Sequence, residues 1–445
     1  MRFTLVLVAA GCLLSAASAQ TGWWRTYGGS EYDYGNSVRQ TSDGGYIIAG
    51  STHSFGTGLS DVYLIRTNAN SDTLWTRTYG GTSRDEGFSV QPTPDGGCVV
   101  AGVTRSSGAG GDDVYLIKTD SQGDTVWTRT YGGTRNDVGR SVQLTADGGY
   151  IVVGTTSSFG AGSEDVYLVK TNAQGDTLWT RTYGGDTLDH GRSVQPTADG
   201  GYIIVGSSFF DVYLVRTDAQ GDTLWTRTYG GTGFDWGRSV QKTNDGGYIV
   251  AGYTESYGAG DFDVWLIKTD DQGVALWTRT YGGSAEDVVA AVQQTTDSGY
   301  IITGYTHSFG QGAPDYDNVY LIKTDKSGDT LWTRMYGGAR RDEGNSVQQT
   351  SDGGYIIAGF TCCFDAVPPD TMNVFLIKTD PQGHVGLADE DSRPQAPSRR
   401  PATVIRNLPP GSPAYDAMGR RVLNPKSGVY FVCEPSAVTK VVVQR

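Results

Sequence analysis

The sequence predicts an all-β protein whose main body is a seven-bladed β-propeller closed by its own N-terminal strand. Three observations support this prediction. One unit recurs seven times along the 445 residues. Its apolar runs are short, rich in Val, Ile, Tyr and Trp, and bounded by Gly and Asp, which is typical of strands and not of helices. The tryptophan-bearing segment of the unit is out of phase with the rest, which indicates a ring.

The repeat is marked by a Tyr-Gly-Gly triplet at intervals of 52, 52, 52, 46, 52 and 55 residues. Periods of this size are typical of solenoids, propellers and arrays. The triplets begin at Tyr27, Tyr79, Tyr131, Tyr183, Tyr229, Tyr281 and Tyr336. Each unit contains four strand-like runs, of the types SVQ, YIIAG, DVYLIKT and TLWTRTY, and we therefore expect one four-stranded sheet per unit.

The connections between these runs are predicted to be tight hairpins. The first and second runs are joined by Asp-Gly-Gly, as at 43–45, and the third and fourth by T-D-x-x-G-D. Glycine supplies the positive φ that such turns need. The second and third runs are apolar on successive residues, so both of their faces should be covered, as in sheets stacked between like sheets.

The two ends of the repeat region distinguish a closed ring from an open stack. The first tryptophan run, Trp23–Tyr27, precedes the first SVQ run, and no tryptophan run follows the last unit. Only in a ring does the N-terminal run pair beside residues 374–378 and complete the seventh blade. Closure also removes the exposed edges of an open stack.

Two known repeats resemble these residues. The run V-Y-L-I-K-T-D-x-x-G-D-T-L-W resembles the tryptophan-docking repeat of pyrroloquinoline quinone propellers, and D-G-G-Y-I-I-A-G is similar to the kelch pattern. The resemblance covers residues 23–385 and implies the fold alone. The turn is one residue shorter than in the quinone family, and neither a recurring arginine nor a cysteine pair indicates a quinone pocket. We therefore expect no cofactor.

Both ends of the chain contain sequence patterns that are typical of export signals. Residues 1–19 combine Arg2, an apolar run and Ala17-Ser18-Ala19, the pattern of a secretory signal peptide cleaved before Gln20. The alternative is a lipoprotein modified on Cys12. No other stretch has the ~20 apolar residues that cross a bilayer, so no transmembrane segment is expected. The protein is predicted to be secreted or held at the outer cell surface, by way of the periplasm.

The C-terminal region changes in composition. Residues 386–403 are polar, carry prolines and do not repeat, so they indicate a linker between the propeller at 20–385 and a tail at 404–445. The tail has four strand-like runs, TVIRNLP, AYDAMGRRVL, GVYFVCE and TKVVVQR, each expected as one short strand. Its words YDAMGRRV, SGVYFV and KVVVQR resemble the C-terminal sorting domain of the bacterial type IX secretion system. The resemblance implies a small β-sandwich-like domain, with the secretion machinery as its partner. The alternative is an accessory β-domain.

Charge and cysteines narrow the function classes. The formal net charge is −13, although residues 386–445 hold nine basic and five acidic residues, so the repeat region is acidic. Such a body repels nucleic acid and anionic membranes. The cysteines of the exported chain, at 98, 362, 363 and 433, form neither a zinc motif nor a disulfide framework. Oxidation of the adjacent pair Cys362 and Cys363 stays open. We expect a monomer.

Candidate binding residues lie on the face that carries the longer, more variable loops. Six of its seven loops contain an aromatic residue, namely Phe55, Phe159, Phe209 with Phe210, Tyr257, Phe309 and Phe364. These side chains suit stacking on sugar rings or gripping a peptide. The alternative is that each plugs its own blade, because a position that recurs serves the repeat.

A ring of seven aspartates precedes the first strand of each unit near the predicted channel mouth. Its members are Asp33, Asp85, Asp137, Asp189, Asp235, Asp287 and Asp342. They could bind cations or cap the Tyr-Gly-Gly loops through backbone amides. Capping is favoured, since Ca²⁺ needs six to eight converging oxygens and a ring spreads them. No metal site is predicted.

No catalytic motif is present in the sequence. Four histidines are the total, none paired by spacing with a nucleophile, and neither H-E-x-x-H nor G-x-S-x-G occurs. The prediction is a non-catalytic binding or interaction propeller for a glycan or a protein. A structural surface protein is the first alternative. A glycan-degrading enzyme is the second, and it requires acidic and Tyr or His departures from the repeat clustered on neighbouring blades.

Overall fold

The structure is a computed structural model that describes residues 22–310, 316–338, 340–362 and 371–386, together with the backbone of five short strands between 403 and 443. The chain divides into two compact units, Met1–Leu387 and Ala388–Arg445. The predicted signal peptide and most of the predicted linker lie outside the described residues. All regular structure that is described is β-strand.

The first unit contains seven four-stranded antiparallel sheets, the blades, and the prediction of a seven-bladed propeller is confirmed. The inner strands, one per blade from blade 1 to blade 7, are β2 (Asp33–Gln40), β6 (Asp85–Pro92), β10 (Asp137–Leu144), β14 (Asp189–Pro196), β18 (Asp235–Lys242), β22 (Asp287–Gln294) and β26 (Asp342–Gln349). The second strands are β3 (Tyr46–Thr52), β7 (Cys98–Thr104), β11 (Tyr150–Thr156), β15 (Tyr202–Ser208), β19 (Tyr248–Thr254), β23 (Tyr300–Thr306) and β27 (Tyr355–Thr361).

The outer half of each blade follows the same repeat. The third strands are β4 (Asp61–Thr67), β8 (Asp113–Thr119), β12 (Asp165–Thr171), β16 (Asp211–Thr217), β20 (Asp263–Thr269), β24 (Asn318–Thr324) and β28 (Asn373–Thr379). The outer strands are β5 (Thr73–Tyr79), β9 (Thr125–Tyr131), β13 (Thr177–Tyr183), β17 (Thr223–Tyr229), β21 (Ala275–Tyr281), β25 (Thr330–Tyr336) and, for blade 7, β1 (Trp23–Tyr27).

The N-terminal strand closes the ring as predicted. β1 pairs antiparallel with β28, with Trp23 opposite Lys378 and Tyr27 opposite Val374. Blade 7 is therefore built from both ends of the repeat region, in the order β1-β28-β27-β26. Each inner strand contacts the inner strands of both neighbouring blades, and the contact between β26 and β2 completes the circle.

The apolar cores lie between blades. One core, for example, joins Val99 and Ala101 of blade 2 to Val142, Val152 and Val169 of blade 3, all fully or almost fully buried. This arrangement explains why the second and third strands are apolar on successive residues, since each face packs on a different neighbour. Burial of these side chains stabilises the ring by roughly 1.5–3 kcal/mol per large aliphatic residue.

The SVQ motif joins neighbouring inner strands. The Ser37 hydroxyl accepts a hydrogen bond from the backbone N–H of Val90 in the next blade, at 3.2 Å. The same bond from Val38 to Ser346 links blade 1 to blade 7 across the closure, also at 3.2 Å. Serine supplies a short acceptor there, and valine fills the core behind it.

The tryptophan strand carries a second link. In blade 1 the Tyr79 hydroxyl donates to the backbone carbonyl of Gly123, in the outer turn of blade 2, at 2.6 Å. Gly123 has a φ of 78°, and a Cβ atom there would lie 2.8 Å from the ring of Trp75. Six of the seven repeat tryptophans pack on the outer-turn glycine of the next blade in this way, which accounts for the strict repetition of this segment.

The aspartate of each Asp-Gly-Gly turn, and of the equivalent Asp-Ser-Gly turn in blade 6, pairs with a buried lysine or arginine side chain. In blade 3 Asp147 accepts hydrogen bonds from the backbone N–H of Gly149 at 3.1 Å and from Lys170 Nζ at 2.8 Å. Gly148 has a φ of 79°, as a tight hairpin requires. Each blade has an equivalent pair of Asp with Lys or Arg.

In the second unit the described strands are β29 (Thr403–Ile405), β30 (Ala414–Tyr415), β31 (Arg421–Val422), β32 (Gly428–Glu434) and β33 (Ala437–Val443). They form one sheet in the order β29-β33-β32-β30-β31. The run AYDAMGRRVL, expected as one strand, forms the two short antiparallel strands β30 and β31. The sandwich-like arrangement and the sorting role remain predictions.

Candidate functional site

The loop-face aromatics lie against their own blades and stay half exposed. The Phe55 ring packs on Tyr63 with ring centroids 5.6 Å apart, and Phe309 packs on Tyr320 at 5.8 Å. Phe159 and Tyr257 make the equivalent contacts with their blades. The exposed fractions in this set run from 37% for Phe309 to 54% for Phe209. One ring face therefore plugs the blade while the remainder is open to a ligand.

Two members of the predicted set stand apart. Phe209 and Phe210 belong to the shortened loop of blade 4, where their centroids are 3.7 Å apart and Phe210 also contacts Phe234 of blade 5 at 4.3 Å. Phe209 has a φ of 54°, in the left-handed region that a phenylalanine seldom adopts. The tight two-residue connection imposes this conformation. Phe364 lies outside the described residues.

The seven predicted aspartates are fully buried caps. Asp85 Oδ2 accepts a hydrogen bond from the backbone N–H of Gly81 at 2.8 Å and another from the Ser106 hydroxyl at 2.5 Å. The glycine bond recurs in all seven blades at 2.7–2.9 Å. Within the described ranges, no group of three or more His, Cys, Asp or Glu residues has the arrangement of a metal site.

A second carboxylate, not anticipated from the sequence, faces five of the seven caps. The first residue of the third strand is Asp in blades 1 to 5 and Asn in blades 6 and 7. Asp113 and Asp137 flank Gly132 in this way. Burial raises the pKa of Asp165 to about 6, and the negative charge of the nearby Asp189 adds to the rise. One backbone hydrogen bond, from Ala161, offsets the rise only in part. The pair could have been found in the sequence by comparing the first residue of each third strand with the capping aspartate of the following blade.

An opening on the loop face lies between blades 6 and 7. It has a volume of about 310 Å³ and is lined by Glu286, Tyr305, His307, Tyr316, Asp317 and Arg341. Its residues come from the loop before β22, the end of β23, the connection to β24 and the loop before β26. We call this opening the blade 6/7 cleft.

The side chains of the blade 6/7 cleft are held in place by one another. The Tyr305 hydroxyl donates to Glu286 Oε1 at 2.5 Å. Asp317 bridges His307 Nε2 and Arg341 Nε, the latter at 2.6 Å. Arg341 Nε also donates to Glu343 Oε1 at 2.8 Å. These mutual bonds fix the lining before any ligand arrives.

Burial controls the ionisation at the blade 6/7 cleft. It raises the pKa of Glu343 to about 7, because the attraction of Arg341 offsets the loss of hydration only in part and Asp317 adds repulsion. Burial and the hydrogen bond to Glu286 also raise the pKa of the Tyr305 hydroxyl, which therefore stays protonated and donates. A buried glutamate with a raised pKa, a tyrosine that donates its hydroxyl hydrogen and an arginine held by two carboxylates thus lie next to one another.

The blade 6/7 cleft exists because blades 6 and 7 depart from the repeat. Where blade 6 has Tyr305 and His307, blade 3 has Thr155 and Ser157. The histidine and the glutamates were visible as scattered departures from the pattern. Their convergence was not visible, since it depends on which side chains of blades 6 and 7 meet across the gap between the two blades.

The comparisons with known proteins do not place the chain in a family. No family model matches it. The "Regulatory protein FlaEY" of Caulobacter vibrioides is 26% identical over 175 residues, which cover 34% of this chain and 18% of that protein. The chain thus matches less than a fifth of that relative's length.

Solved structures with a similar chain path include a protein of unknown function from Bacteroides caccae, with TM-score 0.41, 13% identity and coverage of 63% of this chain and 92% of that one. A protein from Lactobacillus plantarum gives TM-score 0.49, 12% identity and 74% and 98% coverage. The Pan2 WD40 domain of Neurospora crassa gives a TM-score of 0.45 and 8% identity, with coverage of 82% of this chain and 97% of that one.

The strand pairing of the chain itself defines its class, a seven-bladed β-propeller, and this fold is consistent with a non-catalytic interaction protein. A search of the described residues for a helix long and apolar enough to cross a membrane finds none.

Proposed function

We propose that this protein is a non-catalytic binding propeller, exported to the outer cell surface or beyond, that holds a glycan on its loop face in the blade 6/7 cleft. The observation that supports the proposal is the prearranged polar lining of that cleft, with two tyrosines beside two carboxylates and an arginine. Sugars combine hydroxyl groups with apolar ring faces, and such a lining matches both.

The size of the blade 6/7 cleft limits the ligand. Sites for small molecules usually measure ~300–1,000 Å³, and the cleft lies at the lower end with about 310 Å³. One or two sugar rings would fill it. The half-exposed Phe309, which belongs to the same blade, offers a further stacking surface for the rest of a longer glycan.

A glycan array followed by calorimetry tests the proposal. The variant Tyr305→Thr/His307→Ser gives blade 6 the residues that blade 3 already carries, so the fold should be unaffected. We expect the array signal of the native protein to disappear in this variant. The matched control is His53→Ser, at the equivalent position of blade 1, which should bind as the native protein does. An array that stays silent for the native protein would support a structural surface role instead.

The blade 6/7 cleft also gives grounds for a second candidate, a glycan-degrading enzyme. Acidic, tyrosine and histidine departures do cluster on neighbouring blades. Glu343 does not line the cleft but is bonded to the lining residue Arg341, and its raised pKa is suited to a general acid. Incubation of any bound glycan with the protein, followed by analysis of reducing ends, separates the two functions. Release that is lost in both Glu286→Gln and Glu343→Gln would establish an enzyme. An intact glycan would support binding alone.

The export part of the proposal rests on sequence patterns at the two termini. Deleting residues 404–445 should leave the protein in the periplasm if the tail is a sorting domain. Unchanged export of the shortened protein would contradict this role and favour an accessory β-domain. Fractionation of the bacterial culture, with the full chain as reference, distinguishes the results.

A further inference from the structure

Three arginines stand at the same position of three consecutive inner strands. Arg140, Arg192 and Arg238 belong to blades 3, 4 and 5, each within the words Gly-Arg-Ser-Val-Gln. The other four blades have Asn36, Phe88, Ala290 and Asn345 there. The arginines are therefore not part of the repeat, and the repeat does not require them.

These residues lie at β-bulges of the inner strands, which border the space that the ring encloses. The register of β10 against β11 shifts between Gly139 and Ser141, so that Arg140 has no cross-strand partner. The bulges of β14 and β18 are equivalent. The charge of Arg238 contributes to lowering the pKa of Arg140 from two blades away, so the two groups face the same space, the one that the inner strands enclose. We call this space the central channel.

The three guanidinium groups lack counter-charges. Among the described residues no carboxylate forms an ion pair with any of them, whereas Arg66, Arg84, Arg216 and Arg341 all have such a partner. The Glu86 and Glu164 carboxylates attract them from a distance. Those carboxylates are themselves bonded, Glu86 to Arg84 and Glu164 to His190 at 2.6 Å.

The remaining contacts leave donors free. The Arg140 guanidinium lies 4.3 Å above the ring of Phe88, and that of Arg238 lies 5.2 Å from the ring of Tyr253. Arg238 Nη2 also donates a long hydrogen bond to the Tyr253 hydroxyl at 3.5 Å. Arg238 Nε and the adjacent Trp236 Nε1 are both buried without a hydrogen-bond partner in the described part of the chain. A buried donor without a partner is unfavourable, most of all on a charged group, so a missing acceptor is indicated.

The electrostatics point the same way. Burial, followed by the repulsion of Arg238 and Arg140, lowers the pKa of Arg192 to about 9. Burial and Arg238 likewise lower the pKa of Arg140 to about 10. A bound anion would offset the repulsion among the three guanidinium groups. In a chain of net charge −13, three unpaired arginines at one place are a local exception that the overall composition does not explain.

We propose that the central channel at blades 3 to 5 is a binding site for a small, multiply charged oxyanion. The planar fork of a guanidinium matches carboxylate, sulfate and phosphate oxygens in pairs, and three forks around one space favour a ligand with several such oxygens. Trp236 Nε1 would add a neutral donor, and Phe88 and Tyr253 supply apolar walls.

Calorimetry at low salt with citrate, sulfate and acetate as probes tests this site. We expect citrate or sulfate to bind and to raise the melting temperature, and acetate to bind far more weakly. Whichever of the two binds better identifies the ligand as a carboxylate or as a tetrahedral oxyanion. Affinity should fall roughly tenfold or more in Arg192→Asn, which installs the residue of blades 1 and 7, and also in Arg192→Lys, which keeps the charge but loses the fork.

Two controls make the result decisive. Without anion, Arg192→Asn should melt no lower than the native protein, because a like charge has been removed, so weaker binding cannot be attributed to misfolding. The cleft variant Tyr305→Thr/His307→Ser should bind the anion as before, which keeps this proposal separate from the glycan site. The assignment would be overturned if neither citrate nor sulfate binds. It would also be overturned if Arg192→Asn and Arg140→Asn both bind the anion with the affinity of the native protein.

Discussion

The carboxyl groups of Asp165 and Asp189 lie on either side of Gly184, and one oxygen of each would be 2.5 Å from a Cβ atom placed on that glycine. The first carboxylate belongs to the third strand of blade 3 and the second to the inner strand of blade 4. Five of the seven blade junctions have such a pair, and the other two replace its first member by Asn318 or Asn373. The pair is thus tolerated in the ring and not required by it.

We expect Asp165→Asn to stabilise the protein at pH 7 and to leave it unchanged at pH 4. The folded state raises the pKa of Asp165 to about 6, above its ordinary value, so native stability falls as the pH rises through this range and a buried charge forms. Asparagine removes that charge and keeps an acceptor. Thermal melts at both pH values measure the effect. The reverse change, Asn318→Asp, should lower the melting temperature at pH 7, and equal shifts at both pH values would contradict the explanation.

Ser71→Gly should stabilise the protein by about 1 kcal/mol. Ser71 has a φ of 68°, whereas the equivalent position of the six other outer turns is glycine with a φ of 72–80°. A side chain in the left-handed region costs roughly 1–2 kcal/mol, offset in part by the greater freedom of glycine in the unfolded chain. Urea denaturation measures the gain. Ser298→Gly, with a φ of 67° among glycines of the Asp-Gly-Gly turns, should behave alike, and a loss of stability in both would refute the argument.

Asp147→Asn should destabilise the protein by roughly 1–2 kcal/mol at pH 7, because it leaves the buried Lys170 without its counter-charge while solvent screens the exposed side of the pair. Burial opposes ionisation of Asp147, but the hydrogen bonds from Lys170 and Thr145 outweigh it and lower its pKa to about 2. The native contribution is therefore present above about pH 4 and lost as the pH falls through 2.

Denaturation of this variant at several pH values checks the sign. The difference between native protein and Asp147→Asn should shrink as the solution is acidified towards pH 2. The double variant Asp147→Asn/Lys170→Met should recover most of the stability at pH 7, since no unpaired buried charge remains. A constant difference across the whole range would show that the ion pair is not its source.

A chain that starts at residue 28 should lose cooperative unfolding and associate through an open sheet edge. Without β1 the backbone of β28 is unpaired along its outer side, and the partly buried Trp23 no longer covers the core of blade 7 and blade 1. Size-exclusion chromatography and thermal melts measure both effects. A chain that starts at residue 22 is the control and should remain monomeric. Equal behaviour of the two chains would show that closure adds little.

The fold could be predicted in detail because the repeat supplies its own alignment. The out-of-phase Trp23 segment predicted the closure, with residues 23–27 beside residues 374–378, and the structure adds the register, with Tyr27 opposite Val374. The recurring aromatics and aspartates could likewise be placed on one face. Both sets belong to the repeat, and the structure shows them in contacts of the repeat, such as Phe55 on Tyr63 and Asp85 on the N–H of Gly81.

The departures from the repeat were harder to interpret. The arginines of the central channel are legible in the words Gly-Arg-Ser-Val-Gln, but their meaning depends on how the inner strands border one enclosed space. The blade 6/7 cleft joins Glu286 to Arg341, fifty-five positions apart, through loops without local propensity. Two short strands in place of one in the run AYDAMGRRVL show the same difficulty, because pairing there is decided by neighbours in space.

The seam of blade 7 brings the two ends of the repeat region to one point, where the N–H of Gly386 donates to the carbonyl of Gly22 at 2.8 Å. Whatever precedes residue 22 and whatever follows residue 386 therefore departs from the same place on the circumference. Tension applied between the two ends would act on this single sheet and unzip β1 first, while the other six blades carried no load. A protein pulled at both ends of the repeat region would thus open at the pairing of β1 with β28 before any other blade unfolds.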